Sequence, residues 1–319
     1  MNLKNKIVKL SGDASFREFY RNKKKKSITV LAKNEKKKNL LIYDAINKLL
    51  IKNNILAPRL IKEVYKKNFM EIEDLGNQTI FDRIKKNKNI KKKYYNKIIF
   101  LLKKLQKIKK KYIITFSKTK YIIPEYSKKK ILSESKLFLD WYIPKIIPKN
   151  KNKILKKKLS HIFIKLVNRL KIKRNVFVHR DFHVSNMMFY KKKIYLIDSQ
   201  DALYGNIAYD LASLIDDVRV KTKSYEKKYI FDRYVKNNKD INVDKFKNDF
   251  EILSVLRNLK IIGIFTRLSV RDKKNKYLKL IPYAWNLIEN RVDENRKFTE
   301  LKIILDEHFT KKIRKRVWK

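Results

Sequence analysis

The sequence predicts an α+β protein in which a small β-rich N-terminal lobe precedes a larger, mainly α-helical C-terminal lobe. Short alternating apolar runs dominate the first 75 residues, whereas apolar residues recur at three- and four-residue spacing from 79 to 170. One hairpin pattern then interrupts the helical pattern. The length of 319 residues favours two domains, and we predict them at residues 1–75 and 76–319.

The first lobe is predicted to contain a small sheet and one helix. Its apolar runs have the length and alternation of strands and are bounded by polar residues. Between Leu40 and Leu50, apolar side chains instead lie three and four positions apart, which is the spacing of one helix face. The predicted strands are Phe16–Tyr20, Ile28–Leu31 and Phe69–Ile72.

The second lobe is predicted to be mainly helical. Ile98, Leu101 and Leu105 follow helical spacing, and similar spacing continues to residue 170 and resumes after residue 208. Between these stretches, β-type runs predict one strand followed by a hairpin that turns at residues 191–193. The predicted strand and the two arms of the hairpin are Asn175–Val178, Met187–Tyr190 and Ile194–Ile197.

The net charge of the chain is +52, from 83 Lys and Arg against 31 Asp and Glu. The electrostatic field of such a positive charge attracts nucleic acid and anionic membranes even without a dedicated site. The excess lysines are spread along the whole chain, whereas a dedicated surface requires a localised block or a basic amphipathic helix. We therefore favour solvated surface charge and predict no dedicated nucleic-acid site.

Cysteine usage and hydropathy bear on the compartment. The absence of cysteine excludes disulfides and thiolate metal sites, and it fits a reducing environment. Residues 1–15 lack the apolar core of a secretory signal, and no apolar run approaches the roughly 18 residues that span a bilayer. We expect a soluble, cytoplasmic, monomeric protein.

The strongest chemical signal is the segment 179–186, which reads HRDFHVSN and matches the catalytic-loop pattern H-R-D-x-x-x-x-N of phosphoryl-transfer enzymes. In that chemistry, Asp181 can orient an attacking hydroxyl and accept its proton. The side-chain oxygen of Asn186 is a hard ligand that suits Mg²⁺. A chance match with an aspartate that caps a turn is the alternative, and we favour the catalytic interpretation.

A second metal ligand is predicted at Asp198. It follows the second arm of the hairpin, twelve residues after Asn186, so that the hairpin can fold it back toward the loop. One Asn and one Asp suffice for Mg²⁺ because phosphate oxygens and water complete its coordination shell. The residues after Asp198 are Ser and Gln instead of the Phe-Gly of protein kinases, which argues against a protein kinase.

The nucleotide, predicted to be ATP, requires partners in the N-terminal lobe. Ser11, Gly12 and Ser15 lie between candidate strands and could bind phosphates through backbone N–H groups and hydroxyls, although a plain hairpin turn explains them equally well. Lys33 stands where a phosphate-pairing lysine is expected, beside other lysines that could serve instead. Glu73 ends a strand in the passage to the second lobe, and we favour an adenine-contacting hinge there over a simple connection.

These residues together resemble the aminoglycoside phosphotransferase and choline kinase superfamily, and most closely the bacterial N-acetylmuramate/N-acetylglucosamine anomeric kinases of cell-wall recycling. The likeness covers nearly the whole chain. Its marks are the segments 12–17, 73–76, 137–142, 179–188, 196–202, 208–211 and 257–268.

The resemblance implies a bilobal protein-kinase-like fold and ATP-dependent phosphorylation of an amino sugar at its anomeric hydroxyl. It implies that Asp181 is the base and that Asn186 and Asp198 are the magnesium ligands. It also makes residues 11–16 a nucleotide clamp. The chain departs from the expected pattern at Ser127, where an acidic residue is expected, and at Ser199, where an aromatic residue is expected.

Two other functions stay open. A kinase of the same fold could act on an aminoglycoside, choline or another amino alcohol, but such cationic substrates favour an acidic cleft and this chain is poor in carboxylates. A catalytically silent nucleic-acid-binding or scaffold protein fits the charge but not the catalytic loop. Basic residues in helical sequence could also bind the lactyl carboxylate of an acidic sugar, although we favour ordinary surface charge for Arg257, Lys260, Arg267 and Arg271.

Overall fold

The computed structural model describes residues 7–10, 17–32, 37–173 and 175–316. The predicted nucleotide-binding residues Ser11, Gly12, Ser15 and Lys33 lie outside the described residues. Within the described part, the N-terminal residues form a sheet with one helix and the C-terminal residues are mainly helical. The predicted α+β class is confirmed.

The chain divides into two compact units, each built from two segments. The first unit contains Met1–Glu125 and Val176–Tyr204, and the second contains Tyr126–Asn175 and Gly205–Lys319. These units are defined by packing, and the lobe boundary after residue 75 stays a prediction. The segment that carries the catalytic motif belongs to the first unit.

A five-stranded antiparallel sheet begins the first unit, in the order β1-β2-β3-β5-β4. In the central strand β3, Val30 pairs with Phe19 of β2 and with Met70 of β5. The three predicted strands are confirmed as β2, β3 and β5, apart from Phe16, which lies outside the described residues. The strands are β1 (Ile7–Leu10), β2 (Arg17–Asn22), β3 (Ser27–Ala32), β4 (Leu60–Val64) and β5 (Phe69–Glu73).

Helix α1 (Lys37–Lys52) packs against this sheet, as its apolar spacing predicts. Leu40 and Tyr43 of α1 belong to the same buried cluster as Val30 and Met70 of the sheet. Of these four residues, none is more than 2% exposed. The hydrophobic effect therefore holds the helix to the sheet and makes this side of the unit a rigid support.

The next segment continues with α2 (Ile80–Lys86), α3 (Lys91–Gln106) and a short hairpin of β6 (Tyr112–Ile114) and β7 (Lys120–Ile122). The prediction of helix throughout residues 79–170 is wrong at this hairpin. The turn is closed by the Thr115 backbone N–H, which donates to the Thr119 carbonyl at 2.9 Å, and Lys118 takes the left-handed conformation with φ 59°. A tight turn between Ile-rich runs favours strands over a continued helix.

The remaining strands lie on either side of the motif segment in the chain. β9 (Met187–Tyr190) and β10 (Lys193–Leu196) form the predicted antiparallel hairpin, and β8 (Asn175–Val178) pairs with β11 (Leu203–Asn206). Lys191 and Lys192 both have positive φ, 45° and 61°, as in the two-residue turns that match strand twist. This short turn pairs Leu196 with Met187, so β10 ends one residue earlier than predicted and Ile197 lies beyond it.

The second unit is helical and is organised around the 30-residue helix α9 (Val243–Asp272), which contacts α4, α7 and α10. Ser127 caps α4, because its hydroxyl accepts from the Lys130 backbone N–H at 3.2 Å. The other helices are α4 (Lys128–Leu137), α5 (Ile143–Ile146), α6 (Lys149–Asn168), α7 (Tyr209–Ile215), α8 (Ser224–Lys236), α10 (Ile281–Val292), α11 (Thr299–His308) and α12 (Lys311–Arg314). None of the helices in the described part of the chain combines the length and apolarity that a bilayer-spanning segment needs.

Gly263 is the point of closest approach between α9 and the end of α4. A Cβ atom at this position would lie 2.3 Å from the backbone carbon of Leu137 and 2.5 Å from the backbone nitrogen of Phe138. Backbone atoms cannot rotate away as a flexible side chain can. A glycine is therefore required for the two helices to pack at this distance.

We expect Gly263→Ala to destabilise the protein by about 3 kcal/mol, the upper end for overpacking, because the new methyl group meets backbone atoms. Urea unfolding followed by circular dichroism measures the change. Lys247→Ala, on an exposed position of the same helix, is the control and should change stability by less than about 0.5 kcal/mol. Equal midpoints for the two variants would contradict the close approach.

Candidate active site

The catalytic-motif segment follows β8 and is closed by a short series of hydrogen bonds. The His183 backbone N–H donates to the Asp181 carbonyl at 3.0 Å, and the Asn186 backbone N–H donates to the His183 carbonyl at 2.9 Å. Arg180 has φ 74°, a left-handed conformation that is uncommon for a residue with a side chain. Such strained backbone occurs often at functional sites, and here it immediately precedes Asp181.

Asp198 is connected to this segment by backbone and side-chain contacts. The Ile197 backbone N–H donates to the Asn186 carbonyl at 3.1 Å, and the buried His179 ring donates through Nε2 to the Ile197 carbonyl at 3.1 Å. Burial lowers the pKa of His179, which keeps the ring neutral near pH 7. Asp198 itself has φ 64°. The structure therefore brings together the segments that carry Asp181, Asn186 and Asp198.

The oxygen atoms of Asn186 and Asp198 fit a hard cation. Nδ2 of Asn186 donates to the Asp181 carbonyl at 3.1 Å, which fixes the amide so that Oδ1 is the atom left for a ligand. Both Asn186 and Asp198 line the same cleft. Among the described residues, no group of three or more His, Cys, Asp or Glu side chains forms a metal site. An Asn–Asp pair matches Mg²⁺, which keeps several waters and phosphate oxygens in its shell.

The neighbours of Asp198 act on the pKa of its carboxyl in opposite directions. Loss of hydration raises the pKa of the Asp198 carboxyl, although 44% of the side chain remains exposed, because protein atoms crowd the carboxylate within the cleft. Arg17 and Gln200 oppose this effect, each donating to Oδ1 at 3.1 Å. A carboxylate that is poorly hydrated favours a cation beside it.

Arg17 is a site residue that the sequence reasoning missed. It begins β2, its side chain is only 4% exposed, and its guanidinium lies 5.2 Å from the centre of the Tyr43 ring on α1. The ion pair with Asp198 spans 181 positions of the chain. The available signal was its place at the end of the family-like segment 12–17, directly after the predicted nucleotide clamp at residues 11–16.

Ser199 replaces the expected aromatic residue and ties the Asp198 segment to α1. Its hydroxyl donates to Oδ1 of Asn47 at 2.7 Å, and Nδ2 of Asn47 donates to the Pro58 carbonyl at 3.3 Å. Both Ser199 and Asn47 are buried. The hydrogen bond from Ser199 to Asn47 thus takes the place of aromatic packing, and it holds Ser199, the neighbour of Asp198, in a defined orientation.

Next to these residues lies a cleft of about 330 Å³ with mainly apolar walls. Glu73, the predicted hinge residue, lines it. The Glu73 backbone N–H is already bonded to the Arg59 carbonyl at 2.9 Å, whereas its Oε2 atom is buried without a hydrogen-bond partner among the described residues. A purine could use the side-chain oxygen but not this N–H. The apolar lining residues include Phe19, Ile28, Tyr43, Ile72, Leu75, Met188 and Ile197.

The sequence model of the phosphotransferase enzyme family matches residues 6–234, which is more than half of the chain and includes the whole motif segment. The chain belongs to this phosphotransferase family. The family expected from the sequence is confirmed, and with it the kinase-like fold and a small-molecule phosphotransferase activity.

Curated relatives of the phosphotransferase match most of its length. A Neisseria meningitidis protein named N-acetylmuramate/N-acetylglucosamine kinase is 29% identical over 304 residues, which is 91% of this chain and 86% of that protein. A Pseudomonas aeruginosa protein of the same name is 25% identical over 302 residues, covering 92% and 86% of the two chains.

Solved structures resemble the phosphotransferase in fold at low sequence identity. An aminoglycoside phosphotransferase with GDP and kanamycin aligns with a TM-score of 0.62 at 14% identity, covering 91% of this chain and 93% of that one. A Plasmodium vivax ethanolamine kinase aligns with a TM-score of 0.60 at 15% identity, covering 90% and 82%. Likeness at this level establishes the fold alone.

Proposed function

We propose that the protein is an ATP- and Mg²⁺-dependent kinase that phosphorylates the anomeric hydroxyl of N-acetylmuramic acid or N-acetylglucosamine. The observation that carries the reaction type is the set of hydrogen bonds that joins the segments of Asp181, Asn186 and Asp198, together with the cleft that Asn186 and Asp198 line. The names of the curated relatives support the amino sugar as acceptor. A cytoplasmic location and a monomeric state stay predictions.

In this mechanism the protein acts mainly by positioning and electrostatics. The Asp181 carboxylate accepts a hydrogen bond from the sugar hydroxyl, aligns its oxygen with the transferred phosphoryl group and takes up its proton. Asn186 Oδ1 and the Asp198 carboxylate would hold Mg²⁺, which when bound neutralises charge on the phosphates. Glu73 Oε2 is available as an acceptor for an exocyclic purine amine.

In this proposal Arg17 positions the Asp198 carboxylate. Its buried guanidinium pairs with Asp198 and lies over the ring of Tyr43, and both of these residues line the cleft. We expect Arg17→Gln to raise KM for ATP by about tenfold or more, the loss typical of one hydrogen bond to a charged group. Steady-state kinetics at saturating sugar measures KM and kcat separately.

The matched control is Arg59→Gln, which removes the same charge from an exposed position. KM for ATP should change less than about threefold in this variant. If Arg17→Gln lowered the melting temperature and left KM for ATP unchanged, the ion pair would be structural only.

The experiment that tests the function is a panel assay of Mg²⁺-dependent ATP consumption. The acceptors are N-acetylmuramic acid, N-acetylglucosamine, other sugars, choline, ethanolamine and an aminoglycoside, and each is repeated with Asp181→Asn. Turnover with an amino sugar that disappears in the variant would support the proposal, and ³¹P NMR of the product would give the position of the phosphate. Turnover only with choline, ethanolamine or the aminoglycoside would overturn the acceptor. No turnover with any acceptor, despite nucleotide binding, would overturn the sugar-kinase assignment.

A further inference from the structure

Arg21 of β2 holds the connection between β5 and α2. Its guanidinium forms an ion pair with Asp74, in which Nε lies 2.7 Å from Oδ2 and Nη2 donates to Oδ1 at 2.9 Å. Nη2 also donates to the Gly76 carbonyl at 2.8 Å, and Nη1 donates to Oδ1 of Asn77. The side chains of Arg21 and Asp74 are each only 12% exposed. One side chain of the sheet therefore fixes the stretch 74–77.

This stretch has a defined conformation in which Arg21 finds its partners. Gly76 has φ 76°, and its backbone N–H donates to Oδ1 of Asp74 at 2.9 Å. A Cβ atom at Gly76 would meet nothing within 4 Å, so the glycine serves the left-handed backbone and not a close approach. The Asp74 carboxylate thus joins the turn to the guanidinium of Arg21.

The same connection is bonded to β9 on its other side, within the first unit. The Phe189 backbone N–H donates to the Gln78 carbonyl at 2.8 Å. Met188, the neighbour of Phe189 in β9, lines the cleft, and so does Gly76. Residues 74–79 therefore join the wall of the cleft that the sheet forms to the wall that β9 forms, and their position fixes the width between the two walls.

The place of Arg21 on β2 identifies the end of the cleft that it controls. Arg17, Phe19 and Arg21 occupy alternate positions of the strand and share one face. Arg17 pairs with Asp198, and Arg21 lies four residues farther along, a distance of about 13 Å in a strand. The proposed function puts Mg²⁺ and the phosphates beside Asp198, which leaves the end beside Arg21 for the purine base. The proposed hinge residue Glu73 directly precedes Asp74 at this end.

The walls next to Arg21 have the chemistry that the faces of a purine require. Arg21 pairs across the sheet with Ile28, and Ile28 pairs with Ile72. Both isoleucines line the cleft, together with Leu75. Apolar walls with few polar groups are typical of sites that bind small organic ligands.

We propose that Arg21 is a positioning residue for the purine base, which sets the width of the base end of the cleft by holding residues 74–77 against β2. The inference rests on the proposed function for the identity of the ligand, and on the contacts of Arg21 for the position. Arginine suits this task because its planar fork directs several donors at once. Each of its three guanidinium nitrogens has a partner in the stretch 74–77, so it acts through this stretch and not as a phosphate ligand.

The test measures the dissociation constants of Mg²⁺-ATP and of adenosine by calorimetry, with the full chain and without acceptor. The two ligands share the base and the ribose and differ in the phosphates, so they form a matched pair of probes. We expect Arg21→Gln to raise both constants by about tenfold, and by similar factors, because the base loses its fixed wall. Arg17→Gln, at the phosphate end, should weaken ATP but change adenosine binding less than about threefold. In Arg21→Gln, kcat at saturating ATP should also change less than about threefold.

Asp74→Asn tests the same ion pair from the other partner. Asparagine can still accept from the Gly76 backbone N–H, but it no longer carries the charge that pairs with Arg21. The loss of adenosine affinity should resemble that of Arg21→Gln. The double variant should lose no more than either single variant, because the two residues act as one unit. Additive losses in the double variant, about 100-fold in total, would show separate roles and overturn the inference.

Lys9→Gln is the matched control, since it removes a cation that pairs with Glu18 at 2.7 Å on the opposite face of β2 and is 60% exposed. Both dissociation constants should change less than about threefold. Unchanged adenosine binding in Arg21→Gln and Asp74→Asn, a loss for ATP alone, or no binding of adenosine to the wild type would overturn the base-positioning role. If the wild type binds ATP and adenosine but phosphorylates neither sugar, the proposed function fails separately.

Discussion

Asp181→Asn lowers kcat with the acceptor sugar by about 10²–10⁴-fold, the usual contribution of a positioned general base. Asparagine has nearly the same size and can still hydrogen-bond the substrate hydroxyl, but it cannot take up the proton. The hydrogen bonds from the His183 backbone and the Asn186 amide end at the Asp181 carbonyl and not at its carboxylate, so the loop should keep its conformation. Steady-state kinetics and nucleotide-binding calorimetry together measure the effect.

Nucleotide affinity separates this role from a structural one. In Asp181→Asn, the dissociation constant for Mg²⁺-ATP should stay within a few-fold of the wild-type value while kcat falls. Asp232→Asn, an exposed i,i+4 partner of Lys228 on α8, is the charge-matched control and should leave kcat unchanged. Near-wild-type turnover in Asp181→Asn would remove Asp181 from the chemistry.

Asp198→Ala is the second substitution with a large expected effect. Loss of this carboxylate should raise the Mg²⁺ concentration for half-maximal ATP turnover by about 100-fold or more. Residues that only support a metal ligand cost 10–100-fold in affinity, and a direct ligand should cost at least the upper part of that range. Removal of the carboxylate also leaves Arg17 without the partner at 3.1 Å, which adds repulsion toward any cation at this place. A magnesium titration of initial rates measures the change.

Asp201→Ala provides the control for Asp198→Ala. Asp201 lies three residues farther along the same segment, its side chain is 59% exposed, and it accepts from Gln200 at 2.9 Å. It therefore loses the same charge close to the site without removing a proposed ligand. Its magnesium dependence should match the wild type. An identical magnesium dependence in Asp198→Ala would exclude Asp198 as a ligand.

Several parts of the site could be predicted from the sequence because the relevant residues are neighbours in the chain. The loop 179–186 and the hairpin that returns toward it lie within 20 residues, and strand and turn signals are local. The register of the hairpin depended on the length of its turn. The turn contains two residues, Lys191 and Lys192, whereas the predicted turn 191–193 was one residue too long and shifted the second strand by one position.

Other parts could not be predicted because they depend on pairing between distant residues. The helical prediction failed at β6 and β7. The apolar spacing there suggested a helix, but the threonine-rich turn between Thr115 and Thr119 closes a hairpin instead. Ser199 gave no sign in the sequence of its partner, Asn47, 152 positions away. Arg17 belonged to a recognisable segment, but its contact with Asp198 exists only in the folded sheet.

The sequence by itself determined the α+β class, the phosphotransferase family and the position of the catalytic-loop motif, because periodicity and short motifs depend on adjacent residues. Only the tertiary structure decided which charges have partners. In a chain with 83 basic residues, nothing local distinguishes Arg257 from Lys260 or Arg271. The difference arises on folding. Arg257 becomes buried, Lys260 pairs with Glu134 at 2.7 Å, and Arg271 pairs with Asp272 on the exposed surface.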